Sequence, residues 1–255
     1  MDGSTPAQLT YIGHATVLIE VNGYRLLTDP VLRGRVAHLR RRGPAVDAGW
    51  TTKLDAVLLS HLHLDHFDLP SLRRLARETR LIVPEGAGSI LHRQGFRQVE
   101  ELRPDGATLV GDLPVTATHA LHSGFRPPLG PTAAALGYLI GQERRIYFPG
   151  DTDLFPAMAE LGARLDTALL PVWGWGPSLG PGHLDPERAA EALRLLRPRL
   201  AVPIHWGTFH PIGMGYRRPD FLHEPPHRFA RHAALIAPEV RVDIVQPGDR
   251  LALAH

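Results

Sequence analysis

Apolar and polar positions alternate from the start of the chain. Residues 9–13, 16–21 and 24–28 each read as a strand, and Asn22-Gly23 supplies two residues that tolerate positive φ for the tight turn between the last two. The opening is therefore a β-meander. Residues 33–42 break the pattern, because five arginines fall there with no clear period. That composition predicts a solvated loop, with a cationic flap facing a substrate as the sharper alternative.

Beyond this loop the periods alternate. The pattern predicts a strand at 56–60, a helix at 71–79, a strand at 81–83, a short helix at 89–94, and strands at 98–102, 107–110 and 113–118. A second block gives strands at 136–140 and 145–148, a helix at 154–161, a strand at 167–170, a helix at 186–196 and a strand at 200–204. It closes with a helix at 226–236 and strands at 241–245 and 250–253. The class is α/β with antiparallel portions. The helix at 186 is the best specified: Asp185 caps it, Pro186 suits its first position, Glu187 complements its dipole, and Ala189, Leu193 and Leu196 share a face. No low-complexity linker or short repeat divides the chain, so one domain over residues 1–255 is expected. Its two β-rich blocks suggest two sheets packed face to face with helices outside.

Composition narrows the chemistry. With 255 residues, 44% of them hydrophobic, the chain can bury a substantial core. A net charge of +2 from 28 basic and 26 acidic residues gives no case for a nucleic-acid partner. The absence of cysteine excludes disulfides and thiolate ligands, so a metal here must sit on nitrogen and oxygen. The chain starts without a basic-then-apolar leader, and no apolar run approaches the roughly 18 residues of a membrane span. A cytoplasmic protein that acts on a small molecule, without stable membrane insertion, is expected. The oligomeric state stays open, a homo-oligomer included.

The fifteen histidines are the anomaly. In "LLSHLHLDHFDLP", His61 and His63 are two apart and project to one side of an extended segment, while a turn brings Asp65 and His66 to a neighbouring point. That spacing suits two metals better than one. Asp68 precedes Leu69-Pro70-Ser71 and reads as a helix cap. His119 follows "LPVTAT", Asp151 follows "RIYFPG" and His205 follows "LAVPI", so each polar residue stands where an apolar strand ends. Singly, each has an ordinary explanation as a turn residue or a satisfied core histidine. Together they argue for one site at one edge of the sheets.

"HLHLDH", "THALHSG", "PGDTD" and "PIHWGTF" fall in the order of the metal motifs of the metallo-β-lactamase superfamily, which the chain resembles over most of its length. Its "YIGHATVLIEVNGYRLLTDPVL", "GHLDPERAAEA", "IHWGTF" and "HEPPHRF" are most similar to the branch of ascorbate-phosphate lactonases and N-acyl-phosphatidylethanolamine phospholipase D. The resemblance implies the metallo-β-lactamase fold, an αββα four-layer sandwich of two mixed β-sheets flanked by helices. It also implies that His61, His63 and His119 hold one metal, that Asp65, His66 and His205 hold another, and that Asp151 bridges them. Such a pair, roughly 3.5–4 Å apart, shares a hydroxide that attacks an ester-type bond, and Asp65 would orient it.

Two divalent ions are thus expected, Zn2+ first, with Mn2+ or Fe2+ as alternatives. His183, in "GPGHLDPE", matches a histidine of the phospholipase-like branch. It reads either as a contact for the leaving oxygen or as a helix-flanking residue of no consequence. His14 reads as a supporting residue, and His122, His210, His223 and His227 as surface or pocket-rim residues. Trp173 and Trp175 read as core cover or as an apolar pocket wall, and Arg126 as a contact for an anionic group.

The resulting expectation is a binuclear hydrolase of a small soluble substrate, a phosphodiester or a lactone. A non-catalytic metal-binding or sensing protein on the same fold, or a thioester or β-lactam hydrolase, is the alternative.

Overall fold

Asn22 and Gly23 adopt φ of 51° and 82° in the computed structural model, and they turn the chain between two strands that begin the first sheet. The structure describes residues 6–126, 130–214 and 220–253. Strands run β1 Gln8–Gly13, β2 Thr16–Val21, β3 Tyr24–Thr28, β4 Arg35–Val36, β5 Leu39–Arg41, β6 Ala56–Leu58, β7 Leu81–Pro84, β8 Val99–Leu102, β9 Ala107–Val110 and β10 Leu113–His119. They continue as β11 Leu136–Ile140, β12 Arg145–Phe148, β13 Leu165–Pro171, β14 Leu200–Ile204, β15 Phe209–Pro211, β16 Arg241–Val242 and β17 Arg250–Ala252. Helices are α1 Leu69–Leu72, α2 Gly88–Arg93, α3 Met158–Leu161, α4 Pro186–Leu196 and α5 Asp220–Ile236.

One seven-stranded sheet has the order β17-β1-β2-β3-β6-β7-β8 and the other β16-β14-β13-β12-β11-β10-β9. Both are mixed: β1 to β3 pair antiparallel, while β3, β6, β7 and β8 run parallel. The period-2 pattern assigns the faces. In β2, Val17, Ile19 and Val21 enter the core shared with the second sheet, whereas Leu18 belongs to the separate apolar cluster that includes Leu72 of α1 and Leu91 of α2. Ala189 and Leu193 of α4 and Phe229 and Ala233 of α5 cover the far face of the second sheet. The layering is αββα, as the sequence resemblance implies.

Asp185 caps α4 by accepting from Arg188 N, and Asp68 caps α1 by accepting from Ser71 N. Several expectations change: the helix expected over 154–161 is only the turn α3, and the strand expected over 241–245 is only β16. The helix expected over 71–79 is only the turn α1, because beyond it the backbone closes i to i+3 contacts such as Arg74 N to Ser71 O and Leu75 N to Leu72 O. The segment expected as loop at 33–42 forms β4 and β5, a hairpin that pairs with β15 in a small third sheet. Helix α5 begins at Asp220, with Pro225 and Pro226 inside it rather than at its start. Among the described residues, no helix is long and apolar enough to cross a membrane.

Candidate metal centre

The ends of β3, β6, β12 and β14 point to the same edge of the two sheets, and the residues that follow them converge there. β3 leads to Asp29, β6 to His61, β12 to Asp151 and β14 to His205. His14, Asp29 and His205 take φ of 59°, 33° and 64°, left-handed conformations that non-glycine residues hold only where surrounding contacts enforce them.

Each of five imidazoles is pinned through one ring nitrogen to an oxygen. His61 Nδ1 lies 2.9 Å from Ser60 Oγ, which itself donates to Asp29 Oδ2 at 2.5 Å. His63 Nε2 donates to Phe125 O at 3.0 Å, His122 Nδ1 to Gly182 O at 2.7 Å, His66 Nδ1 to Asp29 Oδ2 at 2.7 Å and His205 Nδ1 to Trp173 O at 2.7 Å. These bonds fix the tautomers and turn the other nitrogens inward. There His122 Nε2 lies 3.0 Å from His63 Nδ1, and His66 Nε2 lies 3.1 Å from His205 Nε2.

Asp151 lies between the two sets. Its Oδ2 is 3.1 Å from His66 Nε2, 3.4 Å from His183 Nε2 and 4.0 Å from His61 Nε2, and its Oδ1 is 3.2 Å from His205 Nε2. Asp65 Oδ2 accepts from His14 Nε2 at 2.9 Å and stands 3.9 Å from His66 Nε2.

The electrostatics of this centre suit cations. Burial, reinforced by neighbouring imidazoles, pushes His61, His63, His122 and His205 below the usual histidine range, His205 to about 3, so their inward nitrogens carry lone pairs. His66 departs in the other direction. Burial opposes its charge, but Asp151, Asp29 and Asp65 together hold it well above the usual range. Burial raises Asp29, whereas for Asp65 and Asp151 the histidines overcome burial and keep both well below the ordinary carboxylate range. His61 Nε2 and Asp151 Oδ1 are buried with no hydrogen-bond partner. A buried centre of inward lone pairs, two low-pKa carboxylates and two orphaned polar atoms fits divalent cations bound through nitrogen and oxygen.

The sequence-derived set is therefore brought together with one exception. His61, His63, Asp65, His66, Asp151 and His205 converge, and His183 joins them beside Asp151. His119 does not: its exposed ring meets Phe155 edge-on at 5.2 Å. His122 stands in its place with His61 and His63. The chain runs past the end of β10, ties Leu121 to Asp153 and to Thr152 Oγ1, and only then delivers an imidazole to the centre.

Sequence reasoning also passed over Asp29, although it follows the apolar residues Leu26 and Leu27 as Asp151 follows its strand. His14, expected to be a supporting residue, joins the group of Asp65, His66 and His205: it holds Asp65, and its ring lies 3.7 Å from that of His205 at a tilt of 33°. Arg126 is spent on the carbonyls of Leu62 and Phe67, so it braces the histidine loop. Trp175 covers the small cluster of Val31, Val36, Leu39 and Phe209, and Trp173 packs on the main core.

Residues 24–206 match the family described as the Beta-lactamase superfamily domain, and the chain belongs to that superfamily. It is a metal-dependent hydrolase. A metal-dependent hydrolase of Caldivirga maquilingensis is 30% identical over 250 residues, covering 96% of this chain and 97% of the relative. The N-acyl-phosphatidylethanolamine-hydrolyzing phospholipase D 1 of Caenorhabditis elegans is 30% identical over 235 residues, covering 80% of this chain and 64% of that one. Among solved structures, the metallo hydrolase Igni18 of Ignicoccus hospitalis superposes with a TM-score of 0.76 at 25% identity, covering 98% of this chain and 100% of that one.

Asp29 links both histidine sets, directly through His66 and through Ser60 to His61. Asp29→Asn puts an amide donor against one of those donors, and metal affinity is expected to fall about 10- to 100-fold. Competition with a chelator reads this, and an unchanged affinity would remove Asp29 from the account.

Proposed function

We propose that the protein is a binuclear metal-dependent hydrolase that cleaves a small ester-type substrate, a phosphodiester or a lactone. The observation that carries this reading is the pairing of two donor sets across one carboxylate. His61, His63 and His122 would hold one ion, Asp65, His66 and His205 the other, and Asp151 would contact both. Divalent ions bound there would acidify a water and polarise the oxygen under attack.

The chain's own residues do the rest. His14 fixes Asp65 Oδ2, which leaves that carboxylate oriented toward the nucleophile. Asp29 and the carbonyls of Phe125, Trp173 and Gly182 hold the imidazole planes. His183 keeps 22% of its side chain exposed beside the buried Asp151, so its ring stands at the mouth, where a leaving oxygen departs. Burial opposes its protonation, but the hydrogen bond and charge of Asp151 prevail and lift it to about 9.

Zinc is the first choice of metal, with manganese or iron as alternatives on the same donors. Similarity to a phospholipase D puts phosphodiesters ahead of lactones, and cytoplasmic location, a single domain and a small-molecule substrate complete the proposal. A panel of phosphodiesters, lactones, thioesters and β-lactams, assayed with each metal, tests it. Turnover of a phosphodiester or lactone is expected. Inactivity on every compound with two metals bound would favour a sensing role, and preference for thioesters or β-lactams would replace the substrate class. His183→Ala is expected to retain both metals and lose about a hundredfold or more in turnover; an unchanged rate would retire that role.

A further inference from the structure

The arginines of residues 33–42 take no part in the metal centre. One wall of their hairpin borders a separate cavity of about 430 Å³, lined by Arg33, Arg41 and Arg74 and by apolar atoms of Leu32, Pro44 and Val46, with no carboxylate in the lining. None of the residues that face the metal centre lines it. The volume lies within the range of small-molecule sites.

The three guanidiniums gather around three consecutive residues. Arg41 Nη1 donates to Val31 O at 3.1 Å, Arg74 Nη1 donates to Leu32 O at 2.6 Å, and Arg33 follows directly. Asp68 compensates one of these charges, taking Arg33 Nε and Nη2 at 2.8 and 2.7 Å. Arg41 and Arg74 have no ion-pair partner among the described residues; both are held by backbone carbonyls. Arg41 also donates Nη2 to Ile12 O, lies over the Phe209 ring at 5.7 Å and keeps Nε buried without a partner. Neighbouring cations repel, and carbonyl dipoles offset that only in part.

We propose that this cavity binds a small organic phosphate. Two uncompensated guanidinium charges match a phosphomonoester dianion, whereas a carboxylate would leave one of them unmet. Arg33 Nη1 and the Nε and Nη2 of Arg74 make no other hydrogen bond among the described residues. They are the donors for the phosphoryl oxygens, and Pro44 and Val46 form the wall for the organic part.

Glycerol phosphate titrated into the metal-loaded protein tests this, with Asp151→Ala titrated in parallel because metals also bind phosphate. One equivalent is expected to remain bound when Asp151 is replaced. Arg74→Gln is expected to weaken that binding about tenfold or more, and Arg74→Lys, which keeps the charge but not the fork, to weaken it less. Arg74 is exposed, so both variants should keep the fold, which circular dichroism checks. Tungstate soaked into crystals should give an anomalous peak between Arg33 and Arg74. Binding that vanishes with Asp151→Ala, or that is indifferent to Arg74→Gln, would overturn the proposal, as would the absence of that peak.

Discussion

Asp151→Ala is expected to empty both halves of the centre, leaving less than one equivalent of metal and cutting hydrolysis by at least about a thousandfold. The reason is geometric. Its carboxylate meets His66 and His205 of one set at 3.1 and 3.2 Å, and it stands 4.0 Å from His61 and is grouped with His122 of the other. Asp29 also lies near His61 and His66, but Ser60 and His66 Nδ1 occupy its oxygens, which leaves Asp151 to face the inward nitrogens of both sets. Without it, the charge that balances two dications falls and neither set retains four donors. Metal analysis after dialysis, with turnover measured in parallel, reads the effect. Retention of two tightly held metals would show that Asp151 does not join the sets.

The second large effect separates two histidines three residues apart. His122→Ala is expected to remove one metal equivalent and lower turnover by roughly two to three orders of magnitude, whereas His119→Ala should leave both within twofold of the parent. His122 Nε2 is 3.0 Å from His63 Nδ1, and its ring also contacts that of His61 at 4.7 Å. His119 is exposed, and among the described residues its one ring contact is the edge-on pair with Phe155. The same metal analysis and assay decide the case; loss of metal from the His119 variant with retention in the His122 variant would reverse the assignment.

Much of the scaffold was legible because its signals are local. The alternation and the Asn22-Gly23 turn define β2 and β3 to the residue, and the Asp185 cap with Pro186 defines α4. The β4–β5–β15 sheet was hidden: its strands are two or three residues long, β4 and β5 carry arginines, and β15 pairs with β5 from about 170 positions away in the chain, so no short-range period reports them.

The centre divides in the same way. His61, His63, Asp65 and His66 lie in one segment, and Asp151 and His205 end clear apolar strands, so position alone points to them. His122 lies in a loop whose path depends on the Leu121–Asp153 bridge, which sequence does not display. Asp29 obeyed the strand-end rule, but its partners Ser60 and His66 lie 31 and 37 positions further along the chain, so nothing in its own neighbourhood announced the contact with His66.

The proposed centre holds a pair of metals on two donor sets. Anomalous diffraction from metal-loaded crystals tests it most directly. Two peaks are expected, one facing His61, His63 and His122, the other facing Asp65, His66 and His205, with Asp151 reaching both. A single peak at full loading, or a second ion held by His119, would contradict it.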